Sequence, residues 1–296
     1  KTAPTAVELN VIWNMRIPRV LIGLMVGGAL SLCGICMQTL VKNKLADPFI
    51  LGVSSGASAV ASLFTVMGVL SFLGSFALPL SAFIGALASI VFVYAISQFN
   101  GRTNITQLLL AGVAVSMIMS AVTSYIALVA PNVFTVRSIN FWLSGSLAGS
   151  KWEYLGIPAA AIILCGLYLM AQHRGLNALV MGTETAATLG INVASLEKML
   201  FLVASLLAAV AISVSGSVGF VGLIAPHMCR LLVGANHKRL LPFGTLVGGI
   251  LVVWSDVAAR CIAAPNELPV GIVTAMVGAP IFLVILKKSR LKAGEL

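Results

Sequence analysis

The stretch IPRVLIGLMVGGALSLCGICMQTLV, residues 17–41, decides the fold class of this chain. Its apolar residues continue over the full length of a membrane-spanning helix, and Arg19 is its only charged residue. Because the pattern does not alternate, it predicts a transmembrane helix and excludes a β-barrel strand. Gly23, Gly27 and Ser31 recur at helical spacing, which is typical of close helix packing or of an interface that moves.

Eight further apolar runs follow the first one. The 296 residues are 59% hydrophobic and 9% charged, with a mean hydropathy of +1.07, which excludes a soluble globule. At about 20 residues per span, the chain has room for roughly nine crossings and none for a soluble catalytic domain. We predict one all-α, polytopic transmembrane domain over residues 1–296. The runs lie at about 49–70, 76–97, 106–130, 155–171, 196–214, 217–234, 240–263 and 270–286.

The basic residues predict the orientation of these spans, because cytoplasmic loops are enriched in Lys and Arg. Alternate loops carry Lys42, Lys44, Arg102, Arg174, Lys198, Lys238, Arg239 and the basic tail from Lys287. The opposite loops carry Lys1, Arg16, Arg19, Arg137, Lys151 and Arg260. The net charge of +10 is therefore attributed to membrane topology and to anionic lipid headgroups, and nucleic acid is not expected as a partner.

Three segments rich in Pro or Gly interrupt the ends of predicted spans, at residues 43–58, 213–230 and 265–280. Irregular backbone at membrane depth persists only where protein or water covers it. A central water-filled path would provide such cover. A simple helix kink or loop at each segment is the alternative interpretation.

No metal site is predicted within this chain. Cys33 and Cys36 form a C-x-x-C pattern, but no second ligand pair follows, so they are interpreted as packing residues of a buried helix. His173, His227 and His237 all fall in or near the predicted cytoplasmic loops, where they cannot ligate haem in an outward-facing cavity. They are interpreted as capping, packing or interface residues.

Asp256 is the one acidic residue well inside an apolar run. Arg260 follows four residues later and is expected to pair with it on one helix face. Its place near the outer end of the span argues against proton coupling. An ion-coupled secondary transporter nevertheless stays open as an alternative function.

No catalytic residue is assigned. The chain contains no Walker A glycine loop, nucleophile elbow or H-E-x-x-H motif, so it is not expected to hydrolyse ATP or to carry those catalytic sites. An intramembrane enzyme would need a water-accessible nucleophile with a base within reach. The sequence shows no such pair.

Several segments follow a known pattern in order along the chain, including QLLLAGVAVS (107–116) and FWLSGSLAG (141–149). This pattern resembles that of the FecCD-type permeases, the membrane subunits of type II ABC importers for iron-siderophores, haem and cobalamin. The resemblance extends over nearly the whole chain. Its most specific segments are GFVGLIAPHMCR (219–230) and ELPVGIVTAMVGAP (267–280). LVMGTETAATLGIN (179–192) and SDVAARC (255–261) match as well.

The resemblance implies a ten-helix subunit in the cytoplasmic membrane, paired with a second copy or a close paralogue around a translocation path. It also implies two ATP-binding subunits, which hold ATP and Mg, and an extracytoplasmic substrate-binding protein, with no cofactor in this chain. The nine runs would match the second to tenth helices, so a first helix is expected to be missing from the sequence. An iron-siderophore is the expected substrate, with haem and cobalamin as alternatives.

The resemblance assigns the stretch MGTETAATLGIN, residues 181–192, to short coupling helices within the cytoplasmic loop 173–198, where they fit a groove on the ATPase. The local chemistry agrees, since Thr183 can cap a helix and Gly190 suits a left-handed stop. An unengaged interfacial loop is the alternative. The assigned residues are Met181, Gly182, Thr183, Glu184, Ala186, Ala187, Leu189 and Gly190.

Two further sites are implied by the resemblance. Arg16, Arg19 and Arg260 match the arginines that the family presents to acidic residues of the binding protein. The cytoplasmic gate matches Asn43, Leu45, Ile105 and Thr106. Lys44 departs from the family pattern, because most members have Pro there, and it adds a charge to a less rigid gate loop.

Overall fold

The computed structural model describes residues 5–99, 102–103, 105–131 and 133–293. Within these ranges the chain is almost entirely helical. The α-helices are α1 (Ala6–Asn10), α2 (Ile17–Leu40), α3 (Val53–Met67), α4 (Ala77–Ser97), α5 (Ile105–Val129), α6 (Val133–Leu143), α7 (Gly156–Ala171), α8 (His173–Met181), α9 (Thr183–Thr188), α10 (Val193–Ser215), α11 (Val221–Val233), α12 (His237–Ile262) and α13 (Val270–Ala293).

Shorter elements connect the helices. A π-helical turn, Val11–Arg16, joins α1 to α2, and 3-10 turns form at Pro48–Leu51, Ser71–Phe76 and Trp152–Tyr154. A small antiparallel hairpin between α4 and α5 consists of β1 (Gln98–Phe99) and β2 (Arg102–Thr103), with Gln98 opposite Thr103.

All nine predicted apolar runs are helical in the structure. Seven helical segments of the described chain are long and apolar enough to cross a membrane. The other two runs form α3 and α11, of only 15 and 13 residues. At about 1.5 Å per residue these two helices fall short of a bilayer about 30 Å thick. The bundle thus combines seven full-length helices with two half-length ones.

Helix α2 lies at the centre of the bundle. Every residue from Val26 to Leu40 is buried, on all sides of the helix. The helix packs against α7, α10, α11 and α12. A helix that is apolar all round belongs in the interior, because it has no polar face to present to water.

Two glycines let neighbouring helices approach α2 at backbone distance. A Cβ atom at Gly27 would collide with the carbonyl of Gly248 in α12, and one at Gly34 would collide with the carbonyl of Gly222 in α11. Small residues at such crossings allow the close contact on which helix association in lipid depends. The small-residue spacing noted in the sequence therefore marks the contact with α12, at Gly27.

Helices α2 and α12 run antiparallel and their ends are joined by polar contacts. At one end, Arg19 Nη2 lies 2.8 Å from Asp256 Oδ1. At the other end, Thr39 Oγ lies 3.1 Å from His237 Nε2. The rise from Arg19 to Thr39 is about 30 Å along the helix. Arg19, predicted on the outer side, and His237, predicted on the cytoplasmic side, thus lie at opposite ends of these two helices.

The predicted interruption within 213–230 is a stretch of irregular backbone between α10 and α11. Its polar backbone groups are covered by a turn that follows α6, where the Ser146 N–H donates to the Ser215 carbonyl at 2.7 Å. The Gly271 N–H, near the start of α13, donates to the carbonyl of Gly145 in the same turn, at 3.3 Å. Protein therefore supplies part of the cover that irregular backbone requires.

We expect Gly27→Ala and Gly34→Ala each to destabilise the bundle by about 3 kcal/mol, because the added methyl group meets a backbone carbonyl that cannot move aside cheaply. The measurement is the apparent melting temperature of the purified protein in detergent. Gly166→Ala in α7 is the matched control, since its Cβ would lie 4.0 Å from the nearest atom, Leu32 Cδ1. Equal melting temperatures for the three variants would contradict this account of the packing.

Candidate functional site

A cavity of about 470 Å³ opens between α3, α5 and α6. Hydroxyl groups dominate its lining, and within the described chain no charged residue contributes to it. Two of the predicted interruptions border it, through Phe49 and Ser217. The lining residues are Phe49, Ser54, Ser55, Ser58, Ser116, Ser120, Thr123, Ser124, Ala127, Asn140, Leu143 and Ser217.

Several hydroxyls of this cavity donate hydrogen bonds to carbonyls of their own helices. Ser58 Oγ donates to the Ser54 carbonyl at 2.8 Å, and Ser116 Oγ donates to the Gly112 carbonyl at 2.8 Å. Thr123 Oγ donates to the Met119 carbonyl at 2.9 Å. A hydroxyl keeps acceptor capacity when its hydrogen is used in this way. The wall consequently offers acceptor oxygens to a ligand without carrying a fixed charge.

The predicted coupling segment, residues 181–192, begins at the last residue of α8 and contains α9, with Gly182 between the two helices. Gly182 has a φ of +133°, a conformation that favours glycine, and it interrupts the helix between Met181 and Thr183. Ala186 is fully buried and anchors α9 to the bundle, whereas Ala187 is exposed. The segment therefore has one face directed into the protein and one directed away from it.

The two ends of α9 test the predicted capping residues. The prediction for Thr183 is wrong, because Gly182 takes the N-cap position and no side chain caps the helix. The prediction for Gly190 is confirmed, since its φ is +79°. The Gly190 N–H donates to the Ala187 carbonyl at 2.9 Å and the Ile191 N–H to the Ala186 carbonyl at 3.1 Å, the pattern of a Schellman motif.

The exposed side of the coupling segment carries large apolar side chains among threonines, and Val180 of α8 adjoins them. Met181 and Leu189 are 74% and 65% exposed, and Val180 is 51% exposed. Glu184 is exposed on the same segment and supplies a single charge. An exposed apolar surface with few charges is typical of a protein contact.

At the opposite end of the bundle, Asp256 binds two arginines. Its pairing with Arg260, which the sequence predicts, is confirmed at 3.2 Å between Arg260 Nε and Asp256 Oδ2. Arg19 also binds Asp256, through Nε at 3.0 Å and Nη2 at 2.8 Å, and donates from Nη1 to Glu267 at 2.9 Å. Sequence spacing did not reveal the contribution of Arg19 or Glu267, because Arg19 lies 237 residues from Asp256 and 248 residues from Glu267 along the chain.

These ion pairs distinguish the three predicted docking arginines. The side chain of Arg19 is only 12% exposed and is directed at carboxylates of its own chain. Arg260 is 28% exposed and Arg16 is exposed. The docking role of all three stays a prediction, and for Arg19 a partner would have to displace bonds that already exist.

We expect Asp256→Asn to lower the free energy of unfolding by about 3 kcal/mol, since it removes the buried carboxylate that two arginines share and leaves Arg19 with only the more exposed Glu267. Glu267→Gln is the matched control, because Glu267 is 40% exposed, and it should change stability by less than about 1 kcal/mol. Thermal unfolding in detergent measures both. A larger effect of the Glu267 variant would refute this ranking.

The predicted gate lies around the loop that follows α2. Asn43 is exposed and its side chain accepts the Leu45 N–H at 2.9 Å. Helix α5 begins at Ile105, whose side chain lies outside the described residues, and Thr106 is exposed. The 3-10 turn Pro48–Leu51, which follows this loop, packs against α5. The gate assignment itself stays a prediction.

Asp47 is a residue of this loop that the sequence analysis missed. Its carboxylate caps the following 3-10 turn by accepting the Phe49 N–H at 2.7 Å. Burial raises the pKa of Asp47 to about 6, against the opposing effect of that hydrogen bond. Asp followed by Pro is a recognisable N-cap pattern, so the capping role of Asp47 could have been predicted from the sequence.

Comparison with known proteins decides the family. A model of the FecCD transport family matches residues 2–288. The chain belongs to this family. The predicted family is therefore confirmed, together with the multi-pass helical membrane fold.

Two curated relatives are similar to this chain over nearly its whole length. The cobalamin import system permease protein of Halobacterium salinarum is 40% identical over 283 residues, which are 96% of this chain and 75% of the relative. The hemin transport system permease protein of Yersinia pestis is 37% identical over 282 residues, 94% of this chain and 84% of the relative. Relatives at similar identity thus carry names of different substrates.

A solved structure supports the same fold. It is described as an inward-facing metal-chelate type ABC transporter, and it superposes with a TM-score of 0.87 at 34% identity. The match covers 97% of this chain and 91% of that chain. The type II permease fold expected from the sequence is thereby confirmed for the FecCD chain described here.

Proposed function

We propose that this FecCD-family chain is the permease subunit of an ABC importer that carries an iron-siderophore across the cytoplasmic membrane. The observation that carries the proposal is the hydroxyl-lined cavity between α3, α5 and α6, free of charged residues in the described chain. A ligand delivered by a binding protein needs a path that admits it without binding it with high affinity. Uncharged hydroxyls meet that requirement, because they offer hydrogen bonds without a fixed charge to trap an ion.

The same lining distinguishes among the substrates of the relatives. Phe49, Ala127 and Leu143 are the apolar members of a wall that is otherwise hydroxyl and amide. A porphyrin presents a broad apolar face, which such a wall matches poorly. An iron-siderophore covers its metal with a polar organic shell, which hydroxyls can solvate during passage. Haem and cobalamin are the alternative substrates.

Helix α5 lines the cavity and is largely exposed, which supports pairing with a second copy of the chain or a close paralogue. Large apolar side chains of α5 at Leu110, Met117, Tyr125 and Leu128 are 66% to 83% exposed. In the proposed assembly a second permease covers part of this face and the remainder contacts lipid. The path would then lie between the two subunits.

The energy for transport is proposed to come from two ATP-binding subunits that hold ATP and Mg, with no cofactor in this chain. Their groove would receive the apolar face of α8 and α9, where Met181 and Leu189 project outward. Glu184 would orient that contact through a charged hydrogen bond. Movement of the loop would tilt the long helices and alternate the access of the cavity between the two sides of the membrane.

At the other end, a substrate-binding protein is proposed to dock beside the ion pairs of Asp256. Arg16 and Arg260 retain exposed surface for acidic residues of that partner. Exposed pairs of this kind steer and orient association more than they strengthen it, and they weaken as salt rises.

The function is tested by uptake into liposomes that contain the permease with its ATP-binding subunits and enclosed ATP, with the binding protein outside. Radioactive ferric hydroxamate and catecholate siderophores, haem and cyanocobalamin are the probes. ATP-dependent uptake of a ferric siderophore is expected. Uptake by the permease alone, driven by an ion gradient, would instead favour a secondary transporter, and ATP-dependent uptake of haem or cobalamin alone would identify the alternative substrates.

Replacing the exposed Ala187 by Trp is expected to abolish copurification of the ATP-binding subunits, because the bulky ring prevents close approach of the two proteins. The permease should keep its melting temperature, since Ala187 points away from the bundle. Thr188→Ser, at the exposed position next to it, is the control and should retain binding. Normal assembly of the Ala187→Trp variant would argue against α9 as the contact.

Replacing Ser58 by Phe is expected to lower uptake about tenfold by filling the cavity, in the range of steric discrimination in binding sites. ATP hydrolysis stimulated by the binding protein should continue, since the loop of α8 and α9 is unchanged. Ser58→Thr retains the hydroxyl and should retain uptake. Unimpaired uptake by the Phe variant would show that the substrate takes another route.

A further inference from the structure

A chain of hydrogen bonds joins the loop of α8 and α9 to the two antiparallel helices at the centre of the protein. Asn177, on α8, accepts the backbone N–H of His237 at 3.0 Å through Oδ1. The Nδ1 atom of His237 lies 2.7 Å from the same oxygen. Asn177 Nδ2 donates to Asn236 Oδ1 at 3.1 Å. On its far side, the His237 ring reaches Thr39 on α2.

The backbone fixes the direction of these bonds. Since the N–H of His237 can only donate, the atom of Asn177 that it meets must be the amide oxygen. That oxygen cannot donate to the imidazole, so Nδ1 of His237 carries a proton. Asn236 is oriented in the same way, because its Oδ1 accepts the Lys238 N–H at 3.0 Å as the N-cap of α12.

The hydrogen bonds of the His237 ring lie in a buried part of the protein. His237 is 3% exposed and Thr39 is 1% exposed, so water has little access to the His237 ring, whereas the bond from Asn177 to Asn236 lies at the surface. The single hydrogen of the Thr39 hydroxyl lies within reach of two acceptors, Nε2 of His237 at 3.1 Å and the Ile35 carbonyl of α2 at 2.8 Å, and it serves one of them at a time. Leu176 and Leu179 give α8 a fully buried apolar anchor, but apolar contacts have no preferred direction. The hydrogen bonds of the Asn177 amide therefore help to fix the orientation of α8 relative to α12.

We propose that Asn177 and His237 are positioning residues that connect the ATPase-facing loop rigidly to α2 and α12. The inference rests on the proposed role of α8 and α9 as the contact for ATP-binding subunits. A displacement of α8 would pass through the His237 ring to both central helices at once. Because α2 and α12 end at the Arg19 and Asp256 pair on the far side, the same two helices reach the proposed docking face.

The position of the loop is measured by pulsed EPR between spin labels at Arg174→Cys on α8 and Lys238→Cys on α12, both exposed positions. The exposed Cys261 is first replaced by Ser, and the other cysteines are buried. The complex with the ATP-binding subunits is held in nanodiscs. Binding-protein-stimulated ATP hydrolysis is measured on the same samples, so that position and coupling are read separately.

Asn177→Ala and His237→Ala are each expected to broaden the distance distribution and to lower the stimulated hydrolysis about threefold, in the range of energetic coupling through side-chain networks. The double variant should match the single ones, because both changes break one connection. His173→Ala is the matched control. His173 lies on the same helix, but its Nδ1 bonds locally to the Met170 carbonyl at 2.8 Å.

Thr39→Val provides a second test with little change of volume, in case the His237 variant fails to fold. It removes only the hydroxyl at Nε2 and should give the same broadening to a smaller degree. An unchanged distance distribution in both Asn177→Ala and Thr39→Val overturns the inference. If the ATP-binding subunits still assemble normally in that case, the proposed coupling function stands without it.

A broadened distribution with undiminished stimulated hydrolysis also overturns the inference, since the loop would then be loosened without loss of coupling. Failure of Ala187→Trp to disturb assembly, with Asn177→Ala still broadening the distribution, would instead reject the proposed contact at α9. The two failures are therefore distinguishable. Additive effects of the Asn177 and His237 substitutions would show that they do not act through one connection.

Discussion

The structure depends on the backbone contact of α2 with its neighbours at Gly27 and Gly34. In a bilayer, moving an apolar side chain from lipid to a helix interface gains little hydrophobic free energy. Helices therefore associate through close packing. A side chain at either glycine would hold α11 or α12 away from α2. The positions of the irregular segments, the cavity and the terminal ion pairs all follow from this central packing.

Charge is distributed in a way that agrees with this packing. Acidic and basic side chains form the cluster of Arg19, Asp256, Arg260 and Glu267 at one end of the bundle. The cavity between α3, α5 and α6 has only neutral lining residues in the described chain. A buried charge is expensive unless it is paired, and an unpaired one beside a path would trap an oppositely charged solute. The ion pairs therefore lie at one end of the bundle, whereas hydroxyl groups line the cavity.

Irregular backbone connects the central packing to the cavity. The turn after α6 pairs with the end of α10 through Ser146 and with the start of α13 through Gly145. Phe49 and Ser217, which line the cavity, belong to two such irregular segments. Since their polar groups are bound by other parts of the protein, these segments can lie among apolar helices and still shape a polar wall.

The sequence by itself determined the helical class, the nine apolar runs, the family and the Asp256 pairing with Arg260, because these depend on local hydropathy, spacing and motif. It did not predict α6, the half-length of α3 and α11, or the cap at Gly182. Only the tertiary structure decided that Arg19 binds both Asp256 and Glu267, and that Asn177 meets His237. Such contacts join residues far apart in the chain, so they are set by how helices cross, which no local pattern records.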